Sequence, residues 1–373
     1  MAVSLNLLIK LAAMSPDDRL LNHPVFYEDQ ENEHLMRFLD FHVKPGMEVF
    51  VLTDHNTKQH CLPVFIQKLP ADYPFKIIEI PPGESYKTIE TCRVVWETLT
   101  DMLADRHSVL INLGGGVVCD LGGFAASVFK RGIRFMHIPT SLMAMADASI
   151  GGKTGVDFKG LKNIIGAFVQ PMAVFIDTRY LETLPDRELN NGFAEMLKHG
   201  LIAEYSYFEE LAGGGPETVT AEQIRISVEI KSDIVQRDPL EKGLRKALNF
   251  GHTIGHALES YSLQNDNNPL LHGETVILGM MAETLLSERL GLVEEHLTEK
   301  ILSGLIDFAV FYQFDQPCID GVINLLQHDK KSYGGLAGFS LLKGPGQVAT
   351  GIVCNPEDII DVLQEMNEIL KDN

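Results

Sequence analysis

The sequence lacks several features that would define whole classes of protein. It has no run of about 18 apolar residues, which is the length that a membrane-spanning helix requires. Residues 1–20 are briefly apolar but have no basic segment ahead of the apolar stretch, so we expect no signal peptide. Cysteine is scarce, since five residues are scattered along the chain without a CxxC pair. That pattern excludes a disulfide scaffold and predicts reduced thiols in a cytoplasmic protein.

Positive charge is also in short supply. The chain has 31 Lys and Arg against 51 Asp and Glu, which gives a formal net charge of −20 at pH 7. Such a charge repels nucleic acid, so we expect no nucleic-acid partner. An anionic small substrate could bind only where Lys and Arg are concentrated locally.

The length and the order of hydrophobic patterns predict two domains. A chain of 373 residues is too long for one ordinary core. Up to about residue 184, short apolar strands alternate with helical periodicity, which is typical of a parallel sheet covered by helices. The predicted strands are 48–53, 76–80, 108–113, 135–139 and 173–177. We therefore expect an α/β domain over 1–184 and an all-helical domain over 185–373, with a ligand site in the cleft between them.

A glycine-rich loop follows one predicted strand. The segment GGGVVCD (114–120) lets the backbone approach an anion closely, and the helix that follows offers its N-terminus to a phosphate. The spacing is not GxGxxG, and a tight strand-to-helix turn explains the glycines nearly as well. Polar residues also follow other predicted strands, where parallel sheets bind ligands: Asp54, Asn56, Glu84, Lys87, Thr140 and Ser141.

Histidines and a carboxylate are grouped in the helical half. His252 and His256 in GHTIGHALE are four residues apart and share a helix face, and His272 follows in LHGE. The segment FAEMLKHG supplies Glu195, Lys198 and His199. Imidazoles with a carboxylate can bind Zn²⁺ or a similar ion, whereas an HxxxH pair alone is more often a pair of ordinary helix histidines.

Several basic residues lie beside glycines or in apolar helices rather than in polar runs. A surface position is the ordinary explanation for any one of them. In an acidic chain the group could instead form a pocket for phosphate and carboxylate. The residues are Lys130, Arg131, Lys153, Lys162, Lys231, Arg245, Lys330 and Lys331.

With these motifs in order, the chain resembles the 3-dehydroquinate synthase family of sugar-phosphate cyclases over about residues 47 to 342. Among the segments that carry the resemblance are PPGESYK (81–87), GGGVVCDLGGFAAS (114–127), KNIIGAF (162–168), FAEMLKHG (193–200), RKALNFGHTIGHALE (245–259) and LHGE (271–274). The departures include Ser141 in place of Thr, Asp157 in place of Asn, and the loop insertion LQNDNNP between two histidines.

The resemblance implies a Rossmann-like α/β N-terminal domain, a helical C-terminal domain and a homodimer. It implies the metal ligands Glu195, His252 and His272, with zinc or cobalt as the metal, and places His256 beside the metal. NAD contacts are implied at Asp54, Asn56, Glu84, Lys87, Gly115, Gly116, Val117, Asp120, Thr140, Ser141, Thr183, Leu184 and Glu188. Substrate contacts or catalytic roles are implied for Asp147, Lys153, Lys162, Asn163, Lys198, Lys231, Arg245, Asn249, His256 and Lys330, and Arg131 matches an arginine that reaches the phosphate pocket of a partner subunit.

The activity implied is the conversion of 3-deoxy-D-arabino-heptulosonate 7-phosphate to 3-dehydroquinate and phosphate, a cytoplasmic step of the shikimate pathway toward chorismate and the aromatic amino acids. One alternative is a cyclase of the valiolone or inosose type, whose substrate has no carboxylate for Lys162, Asn163 and Arg245 to bind. Another is a metal-dependent polyol dehydrogenase, which would leave Arg131, Lys153 and Lys330 unexplained. A third, a catalytically inactive NAD-binding module, predicts the loss of a metal ligand, and none is missing.

Overall fold

The computed structural model describes residues 23–27, 34–159, 161–328 and 338–371. The chain divides into two compact units, with the division between Leu184 and Pro185. None of the helices in the described ranges combines the length and apolar character needed to cross a membrane.

The strands of the described ranges belong to one parallel sheet and two antiparallel hairpins. The sheet has the order β1-β8-β5-β4-β2-β3, and the hairpins are β6–β7 and β9–β10. The strand bounds are β1 (Val25–Tyr27), β2 (Val49–Asp54), β3 (Lys76–Ile80), β4 (Val109–Gly114), β5 (Arg134–Pro139), β6 (Lys153–Phe158), β7 (Leu161–Phe168), β8 (Val174–Ile176), β9 (Gly338–Gly344) and β10 (Gln347–Val353).

The α-helices lie mostly in the second unit. Short 3₁₀ segments connect several of them, including Leu244–Asn249. The helix bounds are α1 (His34–His42), α2 (His55–His60), α3 (Leu62–Gln67), α4 (Ile89–Asp101), α5 (Gly116–Val128), α6 (Asp186–Ala203), α7 (Tyr205–Gly214), α8 (Ala221–Arg237), α9 (His252–Asn265), α10 (His272–Arg289), α11 (Glu295–Leu305), α12 (Gln316–His328) and α13 (Pro356–Lys371).

In the first unit, helices α4 and α5 pack on strands whose residues are buried on both faces, as expected for a parallel sheet. The glycine pair of the segment DLGGF (120–124) explains how closely α5 packs on the sheet. A Cβ atom at Gly122 would lie 2.1 Å from Asn112 Oδ1 and 2.7 Å from Leu52 Cδ2. Because only glycine fits there, α5 is held tightly against β2 and β4, and its N-terminus stays at the end of β4.

In the second unit, α9 packs closely on α10, and glycines make the approach possible. A Cβ atom at Gly279 would lie 1.9 Å from Gly251 O, and one at Gly255 would lie 2.9 Å from Thr275 O. The backbone of α10 therefore lies directly against Gly251 and Gly255 of the segment GHTIGHALE. The unit also carries the β9–β10 hairpin beside its helices.

The strands lie within one or two residues of the predicted positions. The apolar periodicity of AEQIRISVEIKSDIVQR predicts a helix over 221–237, and α8 has these bounds. The periodicity of residues 192–211 predicts one continuous helix, whereas the structure divides this stretch at Glu204 between α6 and α7. The chain turns back on itself there, since a Cβ atom at Gly200 would lie 2.6 Å from Phe208 N. The β6–β7 hairpin was not predicted, because its two strands gain their stability from each other and from packing on α5.

Candidate active site

The carboxyl edge of the parallel sheet gathers most of the residues predicted to contact NAD. Strands β5, β4, β2 and β3 are neighbours and run parallel, so the loops that follow them meet along one edge. Thr140 is tied to this edge, since its N–H donates to Gly114 O at 3.0 Å. The loops after these strands and the helices they begin carry Asp54, Asn56, Glu84, Lys87, Gly115, Gly116, Val117, Asp120, Thr140 and Ser141.

The glycine loop ends at the N-terminus of α5, which has the properties of an anion site. Gly115 is the N-cap of this 13-residue helix and supplies no side-chain cap to its free N–H groups. A Cβ atom at Gly115 would lie 3.2 Å from Ser141 Oγ, so glycine lets the backbone lie close to Ser141 without crowding. Uncapped amides and the helix dipole favour a bound phosphate here.

An ionic cluster lies at the same edge. The buried Lys87 ammonium is 2.6 Å from Asp120 Oδ2 and 3.8 Å from Glu84 Oε1, and Lys162 Nζ lies 3.1 Å from the same Glu84 oxygen. Burial favours the neutral amine, but the carboxylates of Asp120 and Glu84 outweigh it and raise the pKa of Lys87. Residues predicted to contact NAD and one predicted to contact the substrate therefore share an ion-pair network.

The β6–β7 hairpin carries three of the predicted substrate residues. Lys153 begins β6, and Lys162 with Asn163 lie in β7. Asn163 has a left-handed backbone with φ of 52°, a conformation that asparagine tolerates better than most residues. The Asp157 carboxylate accepts a hydrogen bond from the Asn163 N–H at 2.8 Å and so holds this turn of the backbone. An asparagine side-chain oxygen could accept the same bond, so the change from the family's Asn at 157 keeps that contact.

Arg131 lies in a strained segment after α5. Both Lys130 and Arg131 have positive φ, at 49° and 69°, and Gly132 follows at 106°. Left-handed backbone costs roughly 1–2 kcal/mol at a residue other than glycine, and such strain is often found at functional positions.

The other predicted residues of the first unit lie in short helical segments. Asp147 lies in the π-helical turn Ala144–Ala148, while Thr183 and Leu184 end the first unit.

In the second unit, two imidazoles converge on one carboxylate. Glu195 lies in the middle of α6 and is only 1% exposed. His252 Nε2 lies 3.2 Å from Glu195 Oε1, and His272 Nε2 lies 3.4 Å from the same oxygen. His252 begins α9 and His272 begins α10, so three separate helices supply the three groups.

These three residues fit a divalent metal. Zinc with ligand bonds near 2.0–2.1 Å in a tetrahedron separates neighbouring ligand atoms by about 3.3 Å, close to both observed separations. Burial opposes charge on Glu195, but Lys198 and His252 hold the pKa of its carboxyl well below the usual range. The site therefore presents an ionised carboxylate to a cation.

The pKa of His272 also indicates that the site attracts positive charge. Burial favours the neutral ring, but hydrogen bonds to Glu195 and Glu259 raise the pKa of His272 to about 10. In contrast, burial and the nearby Lys198 lower the pKa of His252. The two carboxylates thus attract positive charge, and a bound divalent ion would replace the proton on His272.

Glu259 was not predicted, but its carboxylate contacts one of the three groups. Its Oε2 atom lies 3.3 Å from His272 Nδ1, on the ring edge opposite Glu195. A carboxylate in this place fixes the ring orientation of a ligating histidine. The spacing could have revealed it, since Glu259 follows His256 by three residues and His252 by seven on one helix face.

His256 lies beside His252 and His272. Its ring centroid is 5.1 Å from that of His252 and 5.5 Å from that of His272. One nitrogen from each of these three histidines falls within 4.8 Å of the others, so His256 is also placed to act as a ligand. The geometry is compatible with the prediction that His256 stands next to the metal.

The remaining predicted residues of the second unit surround α6 or begin it. Lys198 is 2% exposed and forms an ion pair with Glu195 one helical turn away. Lys231 on α8 and Arg245 in the segment Leu244–Asn249 are both buried. Asn249 donates to Glu241 Oε1 at 3.0 Å, and Glu188, in the first turn of α6, accepts from Asn191 at 2.9 Å. Lys330 lies outside the described residues.

Known proteins match the chain along most of its length. Residues 77–191 match the family model for the 3-dehydroquinate synthase N-terminal region, and residues 192–332 match the C-terminal one. A 3-dehydroquinate synthase from Parabacteroides distasonis is 40% identical over 326 residues, covering 86% of this chain and 92% of that protein. One from Acetivibrio thermocellus is 37% identical over 332 residues, covering 86% and 90%.

A solved structure shares the fold. It is ValA, a 2-epi-5-epi-valiolone synthase from Streptomyces hygroscopicus with NAD⁺ and Zn²⁺ bound, at a TM-score of 0.81 and 27% identity. The similarity covers 93% of this chain and 97% of that one. Both halves of the family are matched, and relatives well above 30% identity span most of the chain. The chain therefore belongs to the 3-dehydroquinate synthase family.

Proposed function

We propose that the chain converts 3-deoxy-D-arabino-heptulosonate 7-phosphate to 3-dehydroquinate and phosphate, using NAD and a divalent metal. The observation that carries this proposal is the buried Glu195 carboxylate with His252 and His272 at 3.2 and 3.4 Å, in a chain of this family. A catalytically inactive relative would be expected to have lost such a set. The enzyme class is a carbon–oxygen lyase, since phosphate leaves by elimination.

Glu195, His252 and His272 would hold the metal, either zinc or cobalt. When bound, the ion supplies Lewis-acid activation of a substrate hydroxyl. Lys198 keeps Glu195 ionised and offers N–H donors to a neighbouring substrate oxygen. His256 stands beside the metal ligands and is placed to accept and return a proton. Asn249 and Asp147 are assigned to orienting substrate hydroxyls.

The residues along the carboxyl edge of the sheet would hold NAD. The uncapped start of α5 binds the pyrophosphate, and Asp54 and Glu84 accept hydrogen bonds from ribose hydroxyls. Bound NAD supplies a hydride acceptor that returns the hydride within the same cycle. Thr183, Leu184 and Glu188 complete the assigned set.

Two groups of basic residues would bind the anionic ends of the substrate. Lys162 and Arg245, with Asn163, are assigned to the carboxylate. Lys153 and Arg131, with Lys330, are assigned to the phosphate, and Lys231 to the substrate as well. Arg131 would act on a partner subunit, and the strained backbone around it supports a functional role in a homodimer.

A cytoplasmic location agrees with the thiols. Cys61, Cys92, Cys119, Cys318 and Cys354 are all buried and free. Such cysteines suit a reducing compartment, where disulfides do not persist.

A valiolone-type cyclase is the second candidate, because ValA shares the fold at 27% identity. Its substrate would be sedoheptulose 7-phosphate, which has no carboxylate. The higher identity to the 3-dehydroquinate synthases and the presence of Lys162, Asn163 and Arg245 favour the heptulosonate phosphate.

Phosphate release from the heptulosonate phosphate tests the proposal. We expect release in the presence of NAD and Zn²⁺, its loss after treatment with a chelator, and its return when metal is added back. Sedoheptulose 7-phosphate serves as the matched substrate, for which we expect much slower release. Faster release from sedoheptulose 7-phosphate would favour the second candidate, and no release from either sugar would contradict both.

A further inference from the structure

A buried carboxylate that the proposed chemistry does not use lies between the two helices that carry the histidines. Glu283, on α10, is completely buried. Its Oε2 atom accepts a hydrogen bond from the Gly251 N–H at 2.7 Å, and its Oε1 atom accepts one from the Ile254 N–H at 3.1 Å. Both donors belong to the start of α9, where backbone N–H groups have no partner within the helix.

The start of α9 depends on this external acceptor. Gly251, its N-cap, has a left-handed backbone with φ of 78° and no side chain with which to cap the helix. A Cβ atom there would lie 2.4 Å from Met280 Cγ and 3.0 Å from Val276 O, so no larger residue fits against α10. Since the N-cap Gly251 has no side chain that could cap the helix, the Glu283 side chain accepts the hydrogen bonds instead.

The contact joins the two helices that begin with His252 and His272, two of the proposed metal ligands. His252 follows Gly251 and is the first residue of α9. His272 is the first residue of α10, a continuous helix of 18 residues that also contains Glu283. The carboxylate of Glu283 therefore connects the backbone beside His252 to the rigid element that begins with His272.

We propose that Glu283 is a positioning residue of the metal site, which sets the place of His252 relative to His272 by capping α9 from α10. This inference rests on the proposed function, because it assumes that these histidines bind the metal. Glu283 accepts hydrogen bonds from the backbone N–H groups of Gly251 and Ile254, so it would act on His252 through the backbone of α9.

The test measures metal affinity in Glu283→Gln. A glutamine amide has one accepting oxygen and an NH₂ group that cannot accept, so one of the two N–H groups at the start of α9 loses its partner. The matched control is Glu288→Gln, the same substitution on the same helix outside this contact. The Kd for Zn²⁺ is measured by competition with a chromogenic chelator, and the absorption spectrum of the Co²⁺ form reports the ligand geometry.

We expect Glu283→Gln to weaken Zn²⁺ binding by about 10- to 100-fold, as is typical for residues that orient metal ligands, and to alter the Co²⁺ spectrum. Glu288→Gln should keep the unmodified Kd within about threefold by the same reasoning. A merely structural role would change the thermal midpoint while leaving the Kd and the spectrum of the folded protein unchanged, and that result overturns the proposal.

Two further outcomes, misfolding of the variant and absence of metal binding in the unmodified chain, can be distinguished from each other. If Glu283→Gln does not fold, Glu283→Asp is measured instead, since it keeps the carboxylate but shortens its reach by one methylene. A folded Asp variant with the unmodified Kd, or failure of both variants to fold even with saturating metal, overturns the positioning role. If the unmodified chain and Glu288→Gln bind no Zn²⁺, the proposed metal site fails, and that failure is distinct from the failure of Glu283.

Discussion

Replacement of His272 with alanine should abolish stoichiometric metal binding and lower kcat/KM by about two to four powers of ten, because Lewis-acid activation contributes several kcal/mol. His272 Nε2 and His252 Nε2 both lie within 3.4 Å of Glu195 Oε1, so removing one imidazole leaves an incomplete ligand set. The His272 side chain is 29% exposed and sits at the start of its helix, so the fold should survive its truncation.

The measurement is metal content by elemental analysis after gel filtration, together with the rate of phosphate release. His296→Ala is the matched control, because its side chain is 66% exposed on a different helix of the same unit. We expect the control to retain full metal and full activity. Full occupancy by metal in the folded His272→Ala protein would contradict the ligand assignment.

Replacement of Arg245 with alanine should lower kcat/KM for the heptulosonate phosphate by about one to two powers of ten. A charge-assisted hydrogen bond to a carboxylate is worth roughly 1.5–3 kcal/mol, which corresponds to that range. Arg245 is 1% exposed, and its backbone N–H and its Nη1 atom are tied to Asp238 and Pro239 of the preceding loop. The guanidinium is therefore held in one place before any ligand arrives.

The comparison of two substrates separates recognition from damage to the fold. Sedoheptulose 7-phosphate has no carboxylate, so its kcat/KM should change much less in Arg245→Ala. Lys246→Ala is the control, since this neighbour is exposed and should affect neither substrate. An equal loss of kcat/KM on both sugars would contradict the assignment of Arg245 to the substrate carboxylate and would favour a valiolone-type cyclase.

The parts of the molecule that were predictable are those in which local pattern and long-range packing agree. Strands β2 and β4 are buried on both faces, and buried parallel strands have continuous apolar sequences that are easily recognised. The loop at 114–116 was recognisable because glycine has few other reasons to occur three times in succession. Helix α8 was predictable in its bounds, since Thr220 and Gln223 form a capping box at its start.

Other parts depend on contacts between residues far apart in the chain. Glu283 is an unremarkable acidic residue in the sequence, and only the packing of α10 on α9 shows that it caps a helix. The pairing of Lys162 with Glu84 joins residues 78 positions apart, which no local pattern encodes. Gly200 lies within a continuous helical pattern in the sequence, and only the structure shows that α7 packs against α6 at this position.

The proposed function is that of a cyclase that eliminates phosphate and returns its hydride. The most direct test is to follow phosphate, 3-dehydroquinate and NADH together during many turnovers of the heptulosonate phosphate with NAD and Zn²⁺. We expect one phosphate for each 3-dehydroquinate formed and no net accumulation of NADH, because the hydride returns within each cycle. Stoichiometric NADH without release of phosphate would contradict it and indicate a polyol dehydrogenase instead.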